Sequence, residues 1–284
     1  MFIVLNPTWR CDLADEIGRC PYCPNLVTEN GHKVEFYWGL GVNEVSHEAT
    51  AEEWLHFFPK LPPSLIDICG GEPLYWDGLS DLIEGLPKGF SWAISSNCLK
   101  PEVIERLDLT RCVCWTASFH PYAMGKADYG NRFFSSLRVL ATRHLNIAVS
   151  IMAYPANIHW LPFWVEAFES WGFPVNVQPY ESPRYDWREH PEKLGALMKS
   201  KEHLNETKLP YWDLTPSNRM CSAGKDYIMT APDGAVYRCN MHLISGLKPM
   251  GSISDVLDFL LKEPMYCGLP CSSSCDRERR DRSG

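Results

Sequence analysis

Apolar and polar positions follow two alternating periods along the first two-thirds of the chain. Short apolar runs of strand length occur at Phe2 to Leu5, Ser64 to Cys69, Ser91 to Ser96, Cys112 to Phe119, Asn146 to Ala153 and Pro174 to Gln178. Between them apolar residues recur at helical spacing. Phe133, Leu137, Leu140 and Ala141 share one face, as do Leu161, Trp164, Val165, Phe168 and Trp171, with Gly172 placed to stop the second helix. Thr50 and Glu53 have the spacing of a capping box ahead of Trp54, Leu55 and Phe58. Trp54, Trp164 and Trp171 therefore read as core residues.

Six strands alternating with helices predict an α/β fold around a parallel sheet, doubly wound or closed part-way into a barrel. Either form collects chemistry at the carboxyl ends of its strands. Tyr180 to Ser217 is richer in proline and charge, with a helix expected near Pro191 to Met198, and reads as a connection. From Cys221 the pattern changes, because Tyr227 to Thr230, Asp233-Gly234 and Val236 to Arg238 read as a β-hairpin. The expected organisation is a main domain over residues 1–215 and a small cysteine-rich α+β extension over 216–284.

Composition narrows the function classes. The chain has 284 residues and a net charge of −8, and its one basic run, Arg277 to Arg282, alternates with acidic residues. No basic face for nucleic acid or a membrane surface is expected. No run reaches the roughly 18 apolar residues that span a bilayer, so a cytoplasmic protein is expected. Twelve cysteines then carry weight, because a reducing compartment seldom turns clustered thiols into disulfides.

Cys11, Cys20 and Cys23 follow the first strand in the spacing C-x8-C-x2-C. Three thiolates on a [4Fe–4S] cluster leave one iron open, the arrangement of a catalytic centre. On these residues alone, a zinc site completed by a histidine such as His32, or plain core cysteines, stays open. The second strand runs into Gly70-Gly71-Glu72-Pro73. Two glycines at a strand end allow close backbone approach to a ligand, and Glu72 offers an acceptor for a cationic amine.

With both elements present, the sequence resembles the radical S-adenosylmethionine superfamily over roughly residues 2–180. The resemblance implies a partial (β/α)6 TIM-like barrel. It implies that Cys11, Cys20 and Cys23 hold a [4Fe–4S] cluster whose open iron binds the amino and carboxylate groups of S-adenosylmethionine. Reductive cleavage then yields a 5′-deoxyadenosyl radical that abstracts a substrate hydrogen atom. Tyr22 matches the aromatic position before the last cysteine, and Gly70 to Pro73 match the motif for the methionine amino group. Ser96, Asn97, Ser118 and Ser150 fall where ribose and carboxylate contacts occur, although each also reads as a small polar residue in or ending a strand. The family spacing is C-x3-C-x2-C, and this chain carries five extra residues in the first gap.

Cys221 and Cys239 are separated as C-x12-G-x4-C, followed by Cys267, Cys271 and Cys275. A small structural zinc module is one reading. The stretch also looks like the opening of the SPASM and twitch extensions, which implies one auxiliary [4Fe–4S] cluster. Its expected ligands are Cys221 and Cys239 with two of the last three, Cys271 and Cys275 ahead of Cys267.

Cys98, just past the third strand, is a candidate hydrogen-atom or proton donor, with an inert thiol as the alternative. Cys69, Cys112 and Cys114 read as small buried hydrophobes. His120 and Tyr122 are candidate substrate contacts, or surface groups. The resemblance implies an electron donor such as flavodoxin or ferredoxin. The expected reaction is oxidative modification or maturation of a peptide, although no separate leader-binding domain is visible. A dehydrogenase or epimerase of a small alcohol, sugar or amino-sugar is the alternative. Methyl transfer is disfavoured because no cobalamin-binding domain fits, and a zinc- or cluster-stabilised binding protein is the non-enzymatic reading.

Overall fold

A computed structural model describes residues 1–18, 20–23, 25–27, 33–36, 42–126, 128–143, 145–180, 189–193, 219–255, 260 and 263–267. In chain order the elements are β1 (Phe2–Leu5), β2 (Asn25–Val27), β3 (Lys33–Phe36), β4 (Val42–Glu44) and α1 (Ala51–Phe57). Next come β5 (Leu65–Ile68), α2 (Leu79–Gly85), β6 (Ser91–Ser96), α3 (Pro101–Arg106), β7 (Cys112–Phe119) and α4 (Tyr129–Thr142). Then follow β8 (Ile147–Ala153), α5 (Leu161–Ser170), β9 (Val175–Pro179), β10 (Arg219–Cys221), β11 (Tyr227–Thr230) and β12 (Ala235–Tyr237). Last are α6 (Asn240–Ile244), β13 (Gly251–Ser252) and β14 (Met265–Cys267).

The six expected strands form one parallel run in the order β1-β5-β6-β7-β8-β9, with helices between β5 and β9. This is a partial barrel. Along β6 and β7 burial alternates, and the more buried face packs against the helices. Phe119 lies 5.2 Å from Phe133 of α4, 4.9 Å from Phe168 and 4.6 Å from Trp164 of α5, ring centre to ring centre. The other face carries small polar residues, Ser95 and Ser118 among them, and leaves room inside the barrel.

The β1 edge continues into β11, parallel to β1, and then into antiparallel β12 and β13. Asn6 donates its side-chain amide to the Thr230 carbonyl at 2.6 Å, which ties the end of β1 to the end of β11. The expected hairpin is thus present, joined to the main sheet. β2, β3 and β4 form a separate antiparallel sheet. Most of the helix expected near Pro191 lies outside the described residues.

The capping box of α1 is complete, with Thr50 Oγ1 accepting from the Glu53 backbone and Glu53 accepting from the Thr50 backbone. Trp54 is fully buried, but two expected core positions are not. Ala141 falls on the exposed side of α4. Trp171 is 55% exposed, because α5 ends at Ser170 and the following residue leaves the buried face. Among the described residues no helix is long and apolar enough to cross a membrane.

Candidate functional site

All six parallel strands deliver residues from their carboxyl ends to one cavity of about 420 Å³. That volume suits a small-molecule cofactor with part of a substrate. β1 leads to Cys11, Cys20 and Cys23, β5 to Gly70, Gly71 and Glu72, and β6 to Ser95, Ser96 and Asn97. β7 contributes Ser118 and His120, β8 Met152, and β9 Gln178 with the following Tyr180. Asn240, at the start of α6, closes the wall from the C-terminal side.

The cysteine loop is held on the β5 loop by its backbone. The Gly71 N–H donates to the Thr8 carbonyl and the Glu72 N–H to the Arg10 carbonyl, each at 2.8 Å. A Cβ on Gly71 would lie 2.1 Å from the Arg10 carbonyl oxygen, and one on Gly70 would lie 2.7 Å from that of Thr8. Gly70 also has a φ of +114°, which glycine alone adopts readily. The glycines thus permit close contact between two protein loops, where the sequence suggested approach to a ligand.

Within the long gap between the first two cysteines, Leu13–Ile17 forms one helical turn. Asp12 caps it by accepting from the Leu13 N–H at 2.7 Å, and Gly18 ends it with a φ of +109°. Three elements pin this turn. Asn97 donates to Asp12 Oδ1 at 2.7 Å, Tyr122 donates to the Gly18 carbonyl at 2.8 Å, and Arg132 pairs with Glu16. The unusual spacing is therefore absorbed without displacing the cysteines from the cavity wall.

Glu72 is 2% exposed and brackets β5 to β6. Its Oε1 accepts from Leu74 N–H and the Ser96 hydroxyl, and its Oε2 accepts from Asn97 N–H at 2.7 Å. Asp12 is fully buried, and its Oδ2 has no hydrogen-bond partner among the described residues. Burial pushes both carboxyl groups up, and the Asp12 charge pushes Glu72 further. Each folded-state pKa lies above its unfolded value. The stability the pair contributes is therefore complete below the ordinary carboxylate range and lost as pH rises through the raised values. The metal-free protein should lose up to about 1.4 kcal/mol of stability per pH unit from one such proton. Asp12→Asn keeps both Oδ1 contacts and should flatten this dependence between pH 5 and 8. Urea titrations with the same slope for both proteins would contradict the assignment.

The residues present fit an iron–sulfur cluster. Cys11, Cys20 and Cys23 line one cavity, and a cubane would take each thiolate on a different iron. His32, the candidate fourth zinc ligand, lies outside the described residues. Burial, and then the Glu72 charge, push the Cys11 thiol up.

Among the expected contacts, Tyr22, Gly70, Gly71, Glu72, Ser96, Asn97 and Ser118 line the cavity, whereas Pro73 and Ser150 do not. Pro73 instead begins a short 3-10 turn behind the wall, and Ser150 is 8% exposed within β8. Cys98 is also absent from the wall. Its φ of +59° turns it into the core, where it is fully buried and its sulfur accepts from the Trp115 indole at 3.3 Å. The inert-thiol reading fits that position. Cys69, expected in the core, lines the cavity instead, with Asn6 Oδ1 at 3.3 Å from its sulfur.

From the sequence, His120 reads as a candidate substrate contact or a surface group. It lines the cavity, with Nδ1 at 2.8 Å from Tyr22 Oη and 3.6 Å from Cys20 Sγ. Burial lowers its pKa to about 4, so the ring is neutral at physiological pH.

In the second cysteine group, β10 and β14 pair antiparallel, with Arg219 opposite Cys267 and Cys221 opposite Met265. The Cys239 thiol is pushed up to about 11, by burial first and then by the nearby Cys221 and Cys267. Cys239 directly precedes Asn240 of the cavity wall. Cys271 and Cys275 lie outside the described residues.

No protein-family model and no curated protein matches the chain. Solved structures do. Streptococcus suis SuiB bound to precursor peptide SuiA superposes with a TM-score of 0.60 at 13% identity, over 92% of this chain and 64% of that one. The enzyme anSMEcpe with bound AdoMet gives 0.64 at 12% identity, over 92% and 77%. Native anSMEcpe with bound AdoMet and Cp18Cys peptide gives 0.62 at 11%, over 92% and 80%. The chain thus spans slightly under two-thirds of SuiB and about four-fifths of anSMEcpe. These neighbours are radical S-adenosylmethionine enzymes, and the fold of this chain is the fold of that superfamily.

Proposed function

We propose that the chain is a radical S-adenosylmethionine enzyme that oxidatively modifies a peptide. One observation carries this reading: the three cysteines, the Gly-Gly-Glu wall and residues from all six strand ends face a single cavity. Cys11, Cys20 and Cys23 would hold the cluster as thiolates. Gly70 to Glu72 fix the wall beside it, and Ser118 would offer its hydroxyl to the cofactor, with Ser96 and Asn97, whose side chains bond Glu72 and Asp12, bordering the same cavity. When bound, the cluster and S-adenosylmethionine supply a hydrogen-abstracting organic radical after one-electron reduction. The polypeptide's work is to orient the reactants and exclude water.

The peptide assignment rests on the far wall and on the neighbours. Gln178 and Asn240 present primary amides, each both donor and acceptor, as recognition of a peptide backbone requires. SuiB is bound to a precursor peptide, and anSMEcpe to the Cp18Cys peptide. We assign Cys221, Cys239 and Cys267 to an auxiliary cluster, completed from Cys271 and Cys275, and the reducing electron to a flavodoxin- or ferredoxin-type donor.

Anaerobic reconstitution with iron and sulfide tests both centres. About eight irons per chain are expected for two [4Fe–4S] clusters and about four for the catalytic one alone. S-adenosylmethionine should alter the electron paramagnetic resonance signal of the reduced protein, and Cys11→Ala/Cys20→Ala/Cys23→Ala should abolish that response. A signal indifferent to S-adenosylmethionine would contradict the reading.

A further inference from the structure

Cys20 sits among side chains able to donate hydrogen bonds to its sulfur. Tyr122 Oη lies 3.4 Å from Cys20 Sγ, and His120 Nδ1 lies 3.6 Å from it. Both residues leave the carboxyl end of β7, where a 3-10 turn over Pro121–Ala123 carries Tyr122 back towards the cysteine loop. Their positions are fixed by packing. Tyr22 stacks on His120 at 5.8 Å between ring centres and meets Tyr122 edge-on at 5.9 Å, while Tyr129 Oη accepts from the His120 N–H at 2.7 Å. By comparison, the Asn97 side-chain amide is 3.9 Å from the Cys11 sulfur and bonds Asp12 at 2.7 Å.

The choice of acceptor decides what these groups do. The Tyr122 hydroxyl has one proton and two acceptors within reach, the Gly18 carbonyl at 2.8 Å and the Cys20 sulfur. A neutral imidazole also has one N–H, and His120 Nδ1 faces both Tyr22 Oη and Cys20 Sγ. A thiol is a weak acceptor, whereas a metal-bound thiolate is charged and only accepts, so ligation shifts both donors towards sulfur.

We infer that Tyr122 and His120 are positioning residues that donate to the Cys20 thiolate and raise the reduction potential of the cluster it holds, with Tyr22 competing for the His120 proton. Reduction adds negative charge to the cluster and its thiolates, so donors to sulfur stabilise the reduced state more than the oxidised one. The inference rests on the cluster assignment proposed above.

The test is a redox titration of reconstituted protein, followed through the component of the resonance signal that responds to S-adenosylmethionine. Tyr122→Phe should lower the reduction equilibrium constant roughly tenfold, about 59 mV for one electron. His120→Phe, which keeps a ring against Tyr22, should shift the midpoint the same way, and the double variant further. Tyr22→Phe should shift it upwards, by releasing the His120 proton to Cys20. A double variant with a midpoint at or above wild type overturns the inference, and a downward shift for Tyr22→Phe overturns the competition. Wild-type protein that takes up no cluster overturns the underlying reading instead, as iron and sulfide content would show.

Discussion

Gly71→Ala is expected to yield a chain that folds but does not assemble its iron–sulfur centre. The new Cβ would meet the Arg10 carbonyl oxygen at 2.1 Å and the Trp9 backbone at 2.5 Å, and both are main-chain atoms that no rotamer change can move. Either the loop before Cys11 retreats, or the wall after β5 does. Both movements break the 2.8 Å bonds that join Gly71 to Thr8 and Glu72 to Arg10. Overpacking and two lost backbone bonds together amount to on the order of 3 kcal/mol. The larger effect is local, because Cys11 directly follows the displaced segment. Iron content after reconstitution should fall by about one cluster, while circular dichroism shows the barrel intact. Full loading of the variant would show that the contact between the loops does not position the cysteines.

Asn97→Ala should produce the second large effect. Its side-chain amide is a donor to fully buried Asp12, and its side-chain oxygen accepts from the Leu99 N–H at 3.1 Å in the turn after β6. Losing a hydrogen bond to a buried carboxylate costs about 1.5–3 kcal/mol, and the turn contact adds to that. Asn97→Asp should be worse at neutral pH, since it sets a third carboxylate beside Asp12 and Glu72. Ser96→Ala is the useful contrast. It removes a bond to Glu72 Oε1, to which the Leu74 N–H still donates, and the bond that Ser96 Oγ accepts from the Cys98 N–H at 2.9 Å, so the loss should be about 1–2 kcal/mol. Chemical denaturation of the metal-free proteins orders the three. Equal losses at Asn97 and Ser96 would mean that the bond to Asp12 stabilises the fold no more than the bond to Glu72 does.

Much of this site was legible before any coordinates. The apolar runs place all six of these strands to within about one residue, because each carries its own β-branched or aromatic residues. The cysteine triplet and Gly70 to Glu72 converge as the first two strand ends require. What was not legible depends on direction within a turn. Cys98 follows β6 as a ligand-facing residue would, but its left-handed backbone points it at Trp115. Trp171 keeps helical spacing one residue beyond the helix that would have buried it. The strands β2, β3 and β4 are as short as β1 but read Asn-Leu-Val, Lys-Val-Glu-Phe and Val-Asn-Glu, with too few consecutive apolar residues to stand out as a run.

The cysteine loop shows the middle case. An eight-residue gap departs from the family spacing, and its sequence holds the cause in plain view. Asp12 and Gly18 flank Leu13–Ile17 as an N-terminal cap and a left-handed stop. His120 stands out in the sequence only by its place past the fourth expected strand, and nothing there points to the cysteine loop. Only the fold brings it within 3.6 Å of Cys20, one hundred residues earlier.

The most direct test of the central claim, that Cys11, Cys20 and Cys23 hold a cluster that cleaves S-adenosylmethionine, is a product assay. Reconstituted protein is reduced anaerobically with S-adenosylmethionine present, and 5′-deoxyadenosine is quantified by chromatography and mass spectrometry. The expected result is turnover by the wild-type chain and none above background by the Cys11→Ala/Cys20→Ala/Cys23→Ala variant. Equal 5′-deoxyadenosine from the two proteins, or none from either once full cluster loading is verified, would contradict it.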